Sequence, residues 1–282
     1  MAETVSVAES SQSSPALPLL GEVALVTGSG RGLGRTIAEH LAKLGASLAV
    51  HDISAEAPAQ YGEAETLDAV AAVLRRGGSP AIAVTGDITD EGVVTQMVAQ
   101  AEAALGPVSI LINCAGGDIG AAGTKPDPNG ALDIGMADAM AVFSRNFIGT
   151  MLMCRAVGPG MVERNKGVVV NFGSLNGQMG VASEVIYGCA KAAILHYTRC
   201  LAMEMRPHGV RVNAVSPGPA KTARFLATRV TDPRMMGEGP SLDRYATPDE
   251  IADVVAFLVS NDSRFVSGQV VRIDGGLTLF PG

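Results

Sequence analysis

Tyr187 and Lys191 stand four residues apart, a spacing that sets both side chains on one face of a helix. Ser174 precedes Tyr187 by thirteen residues, just after an apolar, β-branched run, and Asn146 lies inside the helical stretch before that run. A free tyrosine ionises near pH 10 and is a poor base at neutrality. A neighbouring ammonium favours the phenolate, so Lys191 is expected to lower that value. The Ser174 hydroxyl can hydrogen-bond a substrate oxygen and stabilise charge developing there. Tyr187 can then take a hydroxyl proton as an alcohol loses hydride, or return one in the reverse direction. Asn146 could anchor a water that relays the proton outward from Lys191.

A second constellation lies near the start of the chain. Residues 27–34 read Thr-Gly-Ser-Gly-Arg-Gly-Leu-Gly and join an apolar run to a helical one. Gly28, Gly32 and Gly34 fit the spacing G-x-x-x-G-x-G, whereas G-x-G-x-x-G would need a glycine at Leu33. Glycines there permit a sharp turn and let backbone N–H groups approach a pyrophosphate, with the positive end of a helix dipole behind them. A plain strand-to-helix turn is the other reading of this stretch. Asp52 ends the next strand, eighteen residues past Gly34. A carboxylate there can accept hydrogen bonds from both adenosine ribose hydroxyls and repel a 2′-phosphate, or it could cap a helix. Arg31 pulls the other way, since a guanidinium can pair with that phosphate. The position of Asp52 at the strand end is the more direct selector, so NAD is expected over NADP. Asp87, with Ile88 beside it, could reach an adenine amino group or N-cap the following helix.

The elements that must position these residues alternate. Apolar runs at Val23–Val26, Leu48–Val50, Ala81–Thr85, Ile110–Ile112, Val168–Asn171, Val210–Val215 and Val270–Ile273 read as buried strands. Between them Thr36–Leu44, Glu63–Arg76, Glu91–Leu105, Ala137–Val162, Val185–Met205 and Pro248–Leu258 read as helices, with Pro159 bending or shortening the fourth. Continuous apolar strands separated by helices predict an α/β fold: a single doubly wound Rossmann-type domain, its parallel sheet of about seven strands covered on both faces. Such folds bind ligands at the carboxyl ends of their strands. Two irregular stretches there, Gly117–Gly135 and Pro217–Ala246, are expected to be substrate-side lids.

The chain has 282 residues, 47% of them hydrophobic, and a formal net charge of −7. No basic run stands out, so nucleic acid is not an expected partner, and no apolar run is long enough to span a bilayer. Residues 1–20 lack Lys and Arg and are rich in Ser, Ala and Pro, which fits neither a signal peptide nor a presequence. They read as a loose extension of a domain over 21–282, in a cytoplasmic protein. Cys114, Cys154, Cys189 and Cys200 form no C-x-x-C pair and are expected to be buried, reduced thiols. His40, His51, His196 and His208 are scattered without metal-ligand spacing, so no metal is expected. Met235 and Met236 could line a pocket or fill a gap, and Asn176, Gln178 and Glu184 could bind substrate hydroxyls or face solvent.

Taken together, Thr27–Gly34, Asn113-Cys114-Ala115-Gly116, Asn146, Ser174, Tyr187, Lys191, Pro217-Gly218, Gly268 and Asp274-Gly275-Gly276 resemble the short-chain dehydrogenase/reductase family, from about residue 20 to the end. The resemblance implies that Ser174, Tyr187, Lys191 and Asn146 are catalytic. It implies that Gly28, Gly32 and Gly34 cradle the pyrophosphate of NAD, with Leu33 also against the cofactor. Asp52 would be the NAD-selecting acid, since members pairing it with an arginine like Arg31 still commonly use NAD, and Asp87 and Ile88 would lie toward the adenine. Asn113, Ala115 and Gly116 would line the adenosine side and brace the central strands. Tyr187, Lys191, Pro217, Gly218 and Thr222 would contact the nicotinamide end. Cys114 departs from the family's usual Asn at that place, and Gly117–Gly135 is longer than in minimal members. The family is commonly tetrameric, which makes the helices of Ala137–Val162 and Val185–Met205 candidate interfaces of a homotetramer.

Three functions follow as expectations. The first is NAD-linked hydride transfer between nicotinamide and a secondary alcohol or ketone, such as a sugar, polyol or related hydroxy compound. The second is NADPH-dependent reduction of 3-oxoacyl thioesters. The third is a non-catalytic NAD-binding sensor or scaffold.

Overall fold

A computed structural model describes residues 17–279. Seven parallel strands form one sheet in the order β3-β2-β1-β4-β5-β6-β7. They are β1 Val23–Thr27, β2 Ser47–Asp52, β3 Ala81–Thr85, β4 Ile110–Asn113, β5 Val168–Phe172, β6 Arg211–Pro217 and β7 Val270–Ile273. The helices are α1 Gly32–Lys43, α2 Leu67–Arg76, α3 Glu91–Leu105, α4 Met136–Phe143, α5 Gly149–Glu163, α6 Val185–Met205, α7 Ala223–Thr228 and α8 Pro248–Val259. This is the doubly wound architecture the alternation predicts.

Every residue of β1 is buried, because both faces of the sheet are covered. The pleat sends alternate residues into two cores. Ala24, Val26, Ile110, Ile112 and Val170 join the core beneath α1, α2 and α8. Val23, Leu25, Leu111 and Val169 join the one beneath α3, α5 and α6. The chain order reverses between β1 and β4, which lie side by side. Loops that leave β1 and β4 therefore diverge and open a crevice at the carboxyl edge.

Four details differ from the sequence expectations. The helix expected over Ala137–Val162 is interrupted by a π-turn at Ser144–Ile148 between α4 and α5, and Pro159 lies inside α5, which runs to Glu163. The apolar periodicity runs through the turn, so nothing in it marks the break. The helix expected from Glu63 begins at Leu67, where the Thr66 hydroxyl caps the first turn by accepting from Ala69 N at 3.1 Å. The stretch before it holds a short 3₁₀ turn, Ala57–Tyr61. Cys189 and Cys200 are exposed, not buried, because they fall on the outer face of α6. Of the expected extension, residues 1–16 lie outside the described residues. Leu19 is buried in the core, and its N–H donates to Leu44 O at 2.9 Å.

Candidate active site

The crevice is a cavity of about 490 Å³ at the carboxyl edge of the sheet. The glycine loop and Asp52 wall one end, and Ser174, Tyr187 and Lys191 wall the other. The sequence-predicted cofactor residues line it, with one exception. Asn113 lies behind the wall, fully buried, where its Nδ2 donates to Asn171 Oδ1 at 2.9 Å and to Cys154 Sγ at 3.3 Å. It braces β4 against β5 and does not face the cavity.

The glycine loop needs its glycines. A Cβ on Gly28, which has φ +66°, would sit 2.9 Å from Ala115 Cα. One on Gly34 would collide with the Gly28 carbonyl, and a loop without side chains at these positions lets a ligand come close to the main chain. The loop is tied to the end of β2. Ser29 N donates to His51 O at 2.7 Å, and His51 N donates to Ser29 Oγ at 2.8 Å. The His51 side chain adds a third tie, accepting from Gly28 N on Nδ1 at 3.3 Å while Nε2 faces Gly86 O at 3.0 Å. These partners assign the Nε2–H tautomer. Burial pushes His51 below its ordinary value, so the imidazole is neutral. Sequence alone gave His51 only an ordinary structural or surface role.

Around the glycine-loop end of the cavity, charge is arranged asymmetrically. Asp52 is buried, and its Oδ1 accepts from Ile53 N at 2.9 Å. Its Oδ2 faces Gly30, whose Cβ would lie 2.7 Å from it. No helix is capped by Asp52. Glu63 is a second acid on this wall, with Oε2 accepting from Gly32 N at 2.8 Å and Oε1 buried without a partner. Arg31 is held by the 3₁₀ turn: it donates to Ala57 O at 2.9 Å, pairs with Gln60 and lies 5.1 Å from the Tyr61 ring centroid. Asp87 is on the wall, but Asp90 rather than Asp87 caps α3. The Asp87 Oδ1 accepts from Thr89 N and Thr89 Oγ1, each at 2.8 Å.

At the other end, α6 delivers Tyr187 and Lys191 on one face as the spacing requires. Lys191 is buried, and its Nζ donates to Phe172 O at 2.8 Å and lies 5.6 Å from the Tyr187 ring centroid. Burial lowers Lys191 to about 8. Burial also raises the Tyr187 phenol above its ordinary value, against the opposing pull of a Ser174 hydrogen bond and the Arg224 guanidinium. The expected lowering by Lys191 is thus not seen: burial sets the direction, and the groups that pull against it are Ser174 and Arg224. Asn146 lies in the π-turn and is fully buried. Its Oδ1 accepts from Gly117 N at 3.0 Å, and its Nδ2 donates to Gly117 O at 2.9 Å and Val142 O at 2.7 Å. A Cβ on Gly116 would sit 2.5 Å from Asn146 Oδ1 and 3.5 Å from Lys191 Nζ. Asn146 therefore shapes the cavity wall beside Lys191 through the main chain.

Glu184, three residues before Tyr187, gathers the loops. It is buried at φ +62°. Its N–H donates to Asn129 O at 3.0 Å, and its carboxylate accepts from Lys125 at 2.8 Å, from Asn176 Nδ2 at 3.1 Å and from Arg229. Lys125 and Asn129 belong to the first irregular stretch and Arg229 to the second. Gln178 donates to Ser216 Oγ at 2.6 Å. Of the polar residues considered above as substrate binders, Asn176 and Glu184 thus pair with each other and Gln178 pairs with Ser216. The lids do reach the cavity, through Gly117–Ile119 and Gly123 in the first and Pro217–Arg229 in the second. Met235 lines a separate hollow with Leu242. Burial pushes the Cys114 and Cys154 thiols up to about 12, which leaves both inert.

Among the described residues no three His, Cys, Asp or Glu side chains group as metal ligands, and no helix is long and apolar enough to cross a membrane.

Comparison with known proteins agrees with this geometry. Residues 28–278 match a family model described as enoyl-(acyl carrier protein) reductase. A cyclohexanol dehydrogenase of Rhodococcus sp. strain TK6 is 38% identical over 272 residues, covering 93% of this chain and 98% of the relative. A galactitol 2-dehydrogenase of Rhizobium johnstonii is 34% identical, covering 92% and 95%. A solved structure from Sinorhizobium meliloti, provisionally described as a short-chain alcohol dehydrogenase, superposes with a TM-score of 0.78 at 31% identity, covering 93% of this chain and 98% of that one. The chain belongs to the short-chain dehydrogenase/reductase family and is an oxidoreductase of the kind that acts on CH–OH groups. Such enzymes bind a nicotinamide cofactor, and the tight glycine cradle at the N-terminus of α1 fits one.

Proposed function

We propose that the protein is an NAD-dependent dehydrogenase/reductase of a secondary alcohol or ketone, the substrate being a sugar, polyol or related hydroxy compound. The observation that carries this reading is a single cavity with the glycine loop and Asp52 at one end and Ser174, Tyr187 and Lys191 at the other. Gly28, Gly32, Leu33 and Gly34 would hold the pyrophosphate. Asp52 would take the adenosine ribose hydroxyls, with Asp87 and Ile88 near the base. Ala115 and Gly116 would back the ribose, and Pro217, Gly218 and Thr222 the nicotinamide, with Asn113 bracing the strands behind.

When bound, the cofactor supplies the hydride acceptor or donor. The protein's own groups handle the proton. Ser174 donates to the substrate oxygen, and Tyr187 takes the hydroxyl proton during oxidation or gives one during reduction. Lys191 sets the charge beside the phenol, and Asn146 holds the Gly116–Gly117 wall against it. NAD rather than NADP is favoured because Asp52 and Glu63 would both repel a 2′-phosphate, while Arg31 is engaged by Ala57, Gln60 and Tyr61. The same feature argues against NADPH-dependent thioester reduction. The intact Ser174, Tyr187 and Lys191 argue against a sensor or scaffold.

A cytoplasmic homotetramer completes the proposal. Met140 on α4 and Met203 on α6 are exposed apolar side chains that a partner would cover.

The test is NADH and NADPH formation by the purified protein over a panel of polyols, sugars and simple secondary alcohols, with light scattering for assembly. NAD-linked turnover supports the reading. Turnover confined to NADP, or none with any alcohol, contradicts it.

A further inference from the structure

Four arginines line the cavity, and among the described residues only Arg229 has a carboxylate within ion-pair distance. Arg31 is held by the 3₁₀ turn. Arg229 is paired with Glu184. Arg145 donates to Ile119 O at 3.3 Å and feels the charge of Asp87. Arg224 is set apart by its place beside Tyr187 and Lys191. Among the described residues its side chain donates one long bond, 3.3 Å to Gly116 O, and no carboxylate lies within ion-pair distance. A guanidinium carries five N–H donors, and a partly buried one left with a single carbonyl is under-satisfied.

The position of Arg224 is built. The Thr222 hydroxyl caps α7 by accepting from Phe225 N at 3.1 Å, and Thr228 Oγ1 donates to Arg224 O at 2.8 Å. The Phe225 ring packs edge-on against Tyr245 at 5.0 Å between centroids. α7 is thereby fixed to the rest of its lid, and the guanidinium lies across Gly116–Gly117. A Cβ on Gly117 would meet it at 2.5 Å. Its charge reaches both Tyr187 and Lys191. The acid on this side, Asp118, is buried and accepts from Asn129 at 2.7 Å rather than from Arg224.

We propose that Arg224 receives an anionic group of the substrate, so that the preferred alcohol is a hydroxy acid, with a carboxylate or comparable oxyanion close to the reacting carbon. The inference rests on the dehydrogenase reading above and sharpens its substrate class. A fork of N–H donors suits a carboxylate held by two parallel bonds. The anion would fix which face of the carbinol carbon lies beside Tyr187.

Matched pairs test it: 3-hydroxybutanoate against 2-butanol, and 2-hydroxycyclohexanecarboxylate against cyclohexanol, each with NAD. Wild type should favour the acid in kcat/KM by about tenfold or more, the worth of one charge-assisted hydrogen bond. Arg224→Gln should collapse that ratio, and Arg224→Lys should restore part of it. Calorimetric titration with cyclohexanecarboxylate, which cannot react, reads the site without turnover. Saturable binding to wild type that is lost in Arg224→Gln upholds the anion site even if no alcohol in the panel is oxidised, in which case only the dehydrogenase reading fails. Equal use of acid and neutral alcohol, or no carboxylate binding, overturns the inference. So does an NADH affinity that falls in Arg224→Gln as far as the acid preference does, which would make Arg224 a cofactor ligand.

Discussion

The Nδ1 atom of His51 accepts a hydrogen bond from the backbone N–H of Gly28 at 3.3 Å. A buried imidazole thus sets the entrance of the loop proposed to hold the pyrophosphate. Protonation would place an N–H on Nδ1, facing the Gly28 donor, and would charge a buried ring.

Acid should therefore weaken both fold and cofactor grip. His51 lies below its ordinary 6.5 in the folded chain. The unfolded chain consequently binds more protons as pH falls through 6.5, and stability drops from there down to the folded value. The slope from this one group is at most about 1.4 kcal/mol per pH unit. Denaturant titrations between pH 7 and 5 should show it, and His51→Asn should flatten it. An unchanged slope in the variant would assign the acid sensitivity elsewhere.

Cofactor choice should depend on two acids rather than one. Asp52→Asn is expected to cut the NAD over NADP ratio in kcat/KM by about 10–100-fold, the range of one or two hydrogen bonds to a charged group. Glu63→Gln should act in the same direction by a smaller factor, since its carboxylate also holds Gly32 N. Kinetics with both cofactors decide this; a Glu63→Gln enzyme that keeps its full preference would restrict selection to Asp52.

Glu184 should act on positioning. Glu184→Ala leaves Lys125, Asn176 and Arg229 without their shared acceptor. Both cations are partly solvated, so the stability loss should be modest, about 1–2 kcal/mol or about 2–6 °C in Tm. Loosening the lids and the start of α6 together should raise KM for the alcohol more than KM for NAD. Equal rises in both would indicate a general loss of structure.

Gly34→Ala should disturb the cradle itself, because the added methyl group collides with the Gly28 carbonyl. Overpacking of this kind costs about 1–3 kcal/mol. NADH binding, read by fluorescence, should weaken by about tenfold or more while the overall helix content, read by circular dichroism, stays unchanged.

What the sequence reveals follows the range of each interaction. Tyr187, Lys191 and the glycine loop are legible because their geometry is local: four residues on a helix, or a turn between strand and helix. The strands are legible because burial on both faces makes them continuously apolar. His51, Glu63, Glu184 and Arg224 are not, since each acts on at least one partner 23 to 108 residues away. Periodicity passes through the π-turn at Ser144–Ile148 without a mark. Glu63 shows the limit best: it has a helix former's propensity, yet its carboxylate sits on Gly32 N instead.

The central claim is that Tyr187 moves the proton when hydride is transferred. Tyr187→Phe removes only the phenolic oxygen and leaves the ring in place. Single-turnover reduction of NAD by an oxidisable secondary alcohol, followed at 340 nm with NADH binding measured alongside, tests this directly. The rate should fall by about 10²–10⁴-fold, with NADH affinity unchanged within about twofold. A variant that reduces NAD at close to the wild-type rate would contradict it.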